Sequence, residues 1–150
     1  MSLKSIMNRN GAVCTEDMPL EQVYNLMREG SFDHVCVVEN HAHQKPIGLI
    51  TERDICFQIL GKGRNPRGLT AANVMNTRIF KADAGLSILE CTELTANCST
   101  KTLCIVDDNG VLCGTINRNE LKSINATERA GFVRRHTFFP DYNVAMDRIF

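Results

Sequence analysis

At 150 residues, with 43% hydrophobic and 23% charged side chains, the chain has enough apolar material to bury a core, which excludes a wholly disordered protein. Seventeen basic residues balance seventeen acidic ones, so the chain lacks the strong field that gathers nucleic acid or anionic lipid, although local basic clusters can still hold a small phosphate. No apolar run approaches the roughly eighteen residues needed to cross a bilayer, and Met1-Ser2-Leu3-Lys4-Ser5 lacks the apolar stretch of a secretory signal.

In chain order, Ile6-Met7-Asn8 leads into a short extended piece over residues 12–14. Asp17 and Pro19 then supply a helix start, and Leu20, Val23, Leu26 and Met27 fall on one face at helical spacing. Val35-Cys36-Val37-Val38 reads as an apolar strand, and a polar turn over residues 39–45 leads to a second strand, Pro46-Ile47-Gly48-Leu49-Ile50. A helix over residues 52–60 follows. The glycines and proline of residues 61–68 mark a loop, after which Thr70 caps a short helix ending at Met75.

The same order then recurs. Val74-Met75-Asn76 repeats Ile6-Met7-Asn8 at an offset of 68, and Leu103-Cys104-Ile105-Val106 repeats the apolar strand at the same offset. Leu112-Cys113-Gly114-Thr115-Ile116 repeats the glycine-bearing strand at an offset of 66, the difference falling in a turn marked by Asn109-Gly110. Ile88, Cys91, Leu94 and Thr95 form the second copy's helical face, and its closing helix runs from 118 to about 124. The fold class is therefore α+β: tandem β-α-β-β-α repeats over residues 4–61 and 70–125, joined by a linker over 62–69. Each copy is too small to bury a good core alone, so the two should pack as one pseudo-two-fold module. The tail, residues 126–150, carries Phe138, Phe139, Tyr142, Val144, Met146, Ile149 and Phe150, which are costly to leave in water, and is expected to pack on the module or a neighbouring subunit.

The seven cysteines include no Cys-x-x-Cys pair and most sit in apolar patterns, as expected for small buried hydrophobes in a reducing cytoplasm. His41-Ala42-His43 has no third fixed ligand nearby, so no metal site is expected, and no nucleophile, Walker or zinc-protease motif points to catalysis.

Chemistry concentrates in Gly48-Leu49-Ile50-Thr51-Glu52-Arg53-Asp54. Gly48 permits close backbone approach, and the following helix offers free N–H groups and the positive end of its dipole to a phosphate. The Thr51 hydroxyl and Arg53 guanidinium suit phosphate oxygens, and Asp54 can accept hydrogen bonds from ribose hydroxyls. Thr51-x-x-Asp54 is equally a capping box, and Asn117-Arg118-Asn119-Glu120 caps the second copy's helix at the same place.

The duplicated unit, its Met-Asn opening and the Gly-x-x-Thr-x-x-Asp ending resemble the CBS (cystathionine β-synthase) domain family over roughly residues 4–125. The resemblance implies a paired module with two clefts that binds an adenosine nucleotide: AMP, ADP, ATP or S-adenosylmethionine. It implies that Asp54 holds ribose and Thr51 with Arg53 holds phosphate. Ala12, Val13 and Cys14 would flank adenine and His34 would face the ligand, with Ile47 and Gly48 completing the binding set. The chain departs from the pattern where Cys36 and Cys104 replace a common proline, where Thr102 replaces the histidine equivalent, and where Asn117 and Glu120 replace threonine and aspartate. One competent and one degenerate cleft are expected. The function implied is a non-catalytic regulatory module, cytoplasmic, homodimeric, without catalytic cofactor and acting on a protein partner. The alternative is a ligand-free interaction scaffold.

Overall fold

The computed structural model describes residues 2–136, residues 131–136 by backbone alone. A short helix α1 (Leu3–Ile6) precedes β1 (Ala12–Thr15), α2 (Leu20–Gly30), β2 (His34–Val38), β3 (Pro46–Thr51) and α3 (Glu52–Ile59). The order repeats as α4 (Ala71–Val74), β4 (Phe80–Asp83), α5 (Ile88–Leu94), β5 (Thr102–Val106), β6 (Leu112–Asn117) and α6 (Arg118–His136). Each copy makes a three-stranded sheet whose first two strands are parallel and whose last two are antiparallel. A register shift recurs at equivalent places, between Val37 and Val38 and between Ile105 and Val106. The tandem α+β repeat read from the sequence is thus the observed architecture. No helix among the described residues is long and apolar enough to cross a membrane.

Leu20, Val23 and Met27 of α2 are buried and Leu26 is half-buried, as the helical spacing implies. The Asp17 side chain does not start this helix: it accepts a hydrogen bond from the Thr15 hydroxyl, and Pro19 occupies the cap position without a side-chain cap. In α5, Ile88, Cys91 and Thr95 are buried, and the Thr95 hydroxyl donates to the Cys91 carbonyl at 2.8 Å, which satisfies it in the core. Leu94, expected on the same face, is instead 60% exposed. It is the repeat equivalent of Leu26, at the margin of the buried arc, and the shorter α5 ends there. The last helix also runs further than expected, through residues 125–136. No proline interrupts that stretch, and the Thr127 hydroxyl returns to the Ser123 carbonyl at 3.0 Å. The apolar tail residues from Phe138 onward lie outside the described residues.

The two cores do not follow chain order. Ala71 and Val74 of α4 are buried with Val23, Val35 and Ile50 of the first copy, whereas Leu3 of α1 is buried with Ile88, Leu103 and Leu121 of the second. Each lead-in segment then bridges to the last strand of the same, opposite copy. Leu49 and Asn76 exchange backbone hydrogen bonds of 3.0 and 2.8 Å, and Asn8 and Thr115 exchange bonds of 2.8 and 3.0 Å. A third cluster, Cys36, Leu49 and Cys104 with Val13, Ile79 and Leu112 against it, joins the two sheets at the centre.

These crossings explain the two strand glycines. A Cβ at Gly48 would lie 2.8 Å from the Met75 sulfur, and one at Gly114 would lie 2.7 Å from the Asn8 carbonyl oxygen. A thioether can swing aside, but the Asn8 carbonyl is held by its exchange with Thr115. Gly114→Ala is therefore expected to destabilise the protein by about 1–3 kcal/mol in urea unfolding, and Gly48→Ala by clearly less.

Candidate functional site

The end of β3 and the start of α3 place Thr51 at the helix cap. Its hydroxyl accepts from the Asp54 backbone N–H at 3.2 Å, and the Asp54 Oδ2 accepts from the Thr51 backbone N–H and hydroxyl, both at 2.9 Å. The capping box is thus present, and it engages only one carboxylate oxygen. Oδ1 of Asp54 has no partner among the described residues. A carboxylate can accept several hydrogen bonds, so the cap and a ligand contact are compatible.

Both residues border a cleft of about 400 Å³. It is lined by Leu49, Thr51, Arg53 and Asp54 of the first copy, by Asn76, Arg78 and Ile79 of the connector, and by residues 99–102 of the second copy. The volume falls within the range of roughly 300–1,000 Å³ usual for small-molecule sites. Leu49 and Ile79 offer apolar surface, and Thr51, Ser99, Thr100 and Thr102 offer hydroxyls.

Of the site residues expected from the sequence, Thr51, Arg53 and Asp54 come together here and the others do not. Ala12 and Val13 line a separate hollow of about 180 Å³ with Cys36, Gln44 and Thr115. Cys14 is fully buried in the first core, where desolvation, with a smaller push from Asp17, raises its thiol to about 11 and keeps it protonated. Ile47 packs against the same core, and Gly48 accommodates Met75. Cys36 and Cys104 are both buried at the centre, where their mutual hydrogen bond raises the Cys36 thiol, with burial adding to it, and lowers that of Cys104.

His34 is also displaced from its expected role. Its Nδ1 lies 2.6 Å from the Asp33 carboxylate and its Nε2 3.1 Å from the Thr115 hydroxyl, across the boundary between copies. Thr102, its equivalent, lines the Thr51–Asp54 cleft. The physical reason is the crossing of the chain: this cleft takes its helix cap from the first copy and residues 99–102 from the second. At the position that opens the first cleft with Leu49, the second copy has Thr115, which His34 spans. The residues missed in the sequence, Asn76, Arg78, Ser99, Thr100, Lys101 and Thr102, are those supplied across the boundary. The repeat offsets could have found them only with knowledge of which copy faces which.

At α6, the Asn117 Oδ1 accepts from the Asn119 N–H at 2.8 Å, so that helix is capped without Glu120. His34→Ala is expected to remove one inter-copy hydrogen bond, lowering stability by about 1 kcal/mol in denaturant unfolding, while leaving ligand affinity at the Thr51–Asp54 cleft unchanged.

Residues 3–61 match the CBS domain family. The chain is 30% identical over 98 residues to an uncharacterized protein of Methanopyrus kandleri, the match covering 65% of this chain and 49% of that one, so the chain spans about half that relative's length. It is 24% identical over 111 residues to the CBS domain-containing protein YhcV of Bacillus subtilis, covering 74% and 76%. Its fold is that of a CBS domain-containing protein of unknown function from Bacillus anthracis, with a TM-score of 0.71 at 20% identity over 85% of this chain and 94% of that one. It is also that of the cytosolic domain of the Mg2+ channel MgtE in complex with ATP, with a TM-score of 0.67 at 20% identity over 82% and 48%. The family match thus identifies residues 3–61 as a CBS domain, and the described residues as a whole share the fold of CBS-domain structures.

Proposed function

We propose that the chain is a non-catalytic regulatory module that senses an adenosine nucleotide in the cleft bounded by Thr51 and Asp54. The observation that carries this reading is the Asp54 carboxylate, capped on Oδ2 and unengaged on Oδ1, at the edge of a cleft of nucleotide size. Ribose hydroxyls would donate to Oδ1. A phosphate would meet the Thr51 hydroxyl, Arg53 and the N-terminal end of α3, where helix dipole and side chains act together. The ATP complex of the MgtE cytosolic domain, similar in fold, supports a nucleotide as the ligand class.

Because the cleft has walls from both copies, a bound ligand would bias their relative arrangement, and only by its differential affinity for two arrangements. Cytoplasmic location and a homodimer that presents this state to a protein partner remain part of the proposal. The exposed Phe57, at 65%, and Leu60, at 80%, near the end of α3 support an association surface.

The capping box favours a second reading, a ligand-free interaction scaffold, since it explains both Thr51 and Asp54 by helix stability alone. A thermal-shift panel of AMP, ADP, ATP, S-adenosylmethionine and NADH separates the two: a ligand of the native state raises the melting temperature, and a flat panel favours the scaffold. Asp54→Ala is expected to weaken adenosine-nucleotide binding at least about tenfold by calorimetry, whereas Glu120→Ala should leave it nearly unchanged. The opposite pattern would place the site in the second copy.

A further inference from the structure

We infer that the cleft selects a nucleoside polyphosphate, with Arg78 and Lys101 as the residues that contact phosphates beyond the first. This rests on the nucleotide reading above and adds to it the chemical class of the ligand.

Arg53, Arg78 and Lys101 line one cleft from three separate elements: the first turn of α3, the connector between α4 and β4, and the loop before β5. Asp54 is the one carboxylate lining it. Among the described residues none of the three cations has a carboxylate partner. Three arginines elsewhere are engaged: Arg28 lies over the Tyr24 ring at 5.8 Å, and Arg9 and Arg64 donate to the Lys4 and Asn73 carbonyls. Like charges converging on one concavity repel each other and concentrate anions, and a polyanion relieves the repulsion.

The other copy shows that this charge is not a general property of the fold. At the positions equivalent to Arg53, Arg78, Lys101 and Asp54 stand Asn119, Asn10, Asp33 and Glu120. The connector turn is the same in both places, whereas Lys101 follows a helix one turn shorter than the one before Asp33. The Asn76 Oδ1 accepts from the Arg78 N–H at 2.9 Å, and the Asn8 Oδ1 accepts from the Asn10 N–H at 3.0 Å. Equivalent sequence positions therefore carry three cations and one carboxylate at the Thr51–Asp54 cleft, and two carboxylates with no cation in the other half of the repeat.

The placement of these charges separates candidate ligands. A single phosphate beside the Asp54-held ribose is matched by Thr51, Arg53 and the α3 amides on one wall. Arg78 and Lys101 belong to the other copy, beyond what a monophosphate needs, and a β- or γ-phosphate extending from the α3 wall would meet them. S-adenosylmethionine carries a sulfonium and an ammonium, and these cations would be repelled. Lys101 is anchored, since its carbonyl accepts from the Arg118 N–H at 2.7 Å, so a phosphate on its side chain would engage the second copy directly.

Calorimetric titration of the wild type, Arg78→Gln and Lys101→Gln with adenosine, AMP, ADP, ATP, S-adenosylmethionine and inorganic triphosphate tests this, with unfolding curves confirming that the exposed substitutions leave the fold intact. For the wild type, ADP or ATP should bind at least about tenfold tighter than AMP, and added salt should weaken ATP more than AMP. Each glutamine variant should lose about three- to tenfold for ADP and ATP and stay within about twofold for AMP and adenosine. AMP binding as tightly as ATP, S-adenosylmethionine binding tightest, or equal losses for AMP and ATP in the variants overturns the inference and leaves the nucleotide reading standing. Inorganic triphosphate binding as tightly as ATP overturns it as well, because the nucleoside would then contribute nothing. If no adenosine compound binds, both readings fall together.

Discussion

Leu49 with Asn76, and Asn8 with Thr115, exchange two backbone hydrogen bonds each, and these four bonds tie every lead-in segment to the opposite copy's last strand. Buried backbone groups need partners, so the strand edge and the lead-in segment satisfy each other. The same contact requires a glycine one position before the bridge, because backbone and methionine side chain approach within Cβ distance of Gly48 and Gly114. It also draws α4 into the first core and α1 into the second. Neither copy has a complete core without chain from the other, which is why the duplicated unit forms one module.

The crossing decides where chemistry can occur. The Thr51–Asp54 cleft combines a helix start from the first copy with a connector and loop leading into the second, so residues far apart in sequence line one space. In one cleft, Leu49 and Thr102 leave room, and Asp54 keeps a carboxylate oxygen unengaged. On the opposite side, His34 reaches the Thr115 hydroxyl, held from behind by the Asp33 carboxylate. That hydrogen bond joins the two copies directly. The two sides thus differ: one holds an open cleft beside Asp54, the other a hydrogen bond between the copies.

Much of this was legible in the residues. The offsets of 68 and 66 locate the duplication, apolar runs locate the strands, and the spacing of Leu20, Val23 and Met27 locates a buried helical face. Thr51, Arg53 and Asp54 are close in sequence and were recognisable as a group, because a helix start brings a cap and its N-terminal turn together by local geometry alone. Ala12 and Val13 line a separate hollow, whereas His34 is the cross-strand partner of Thr51. Strand alternation sends Cys14 into the core, and the inter-copy contact takes His34 to Thr115. Leu94 shows the same limit on a smaller scale: its spacing suits a buried face, but α5 ends before a neighbour can cover it.

By itself, the sequence determined the repeat, the order of elements and the Thr51–Asp54 cap, because each depends on residues within one or two turns or on the comparison of one copy with the other. Only the tertiary structure decided that residues of the second copy complete the Thr51–Asp54 cleft, and hence that Arg78 and Lys101 line it together with Arg53, while Asn10 and Asp33 hold the equivalent positions in the first copy. Local propensity and periodicity carry no information about pairing between copies. That pairing is settled by long-range burial and by the backbone bridges at Asn8 and Asn76, where the same short motif could in principle close on its own copy or on its neighbour.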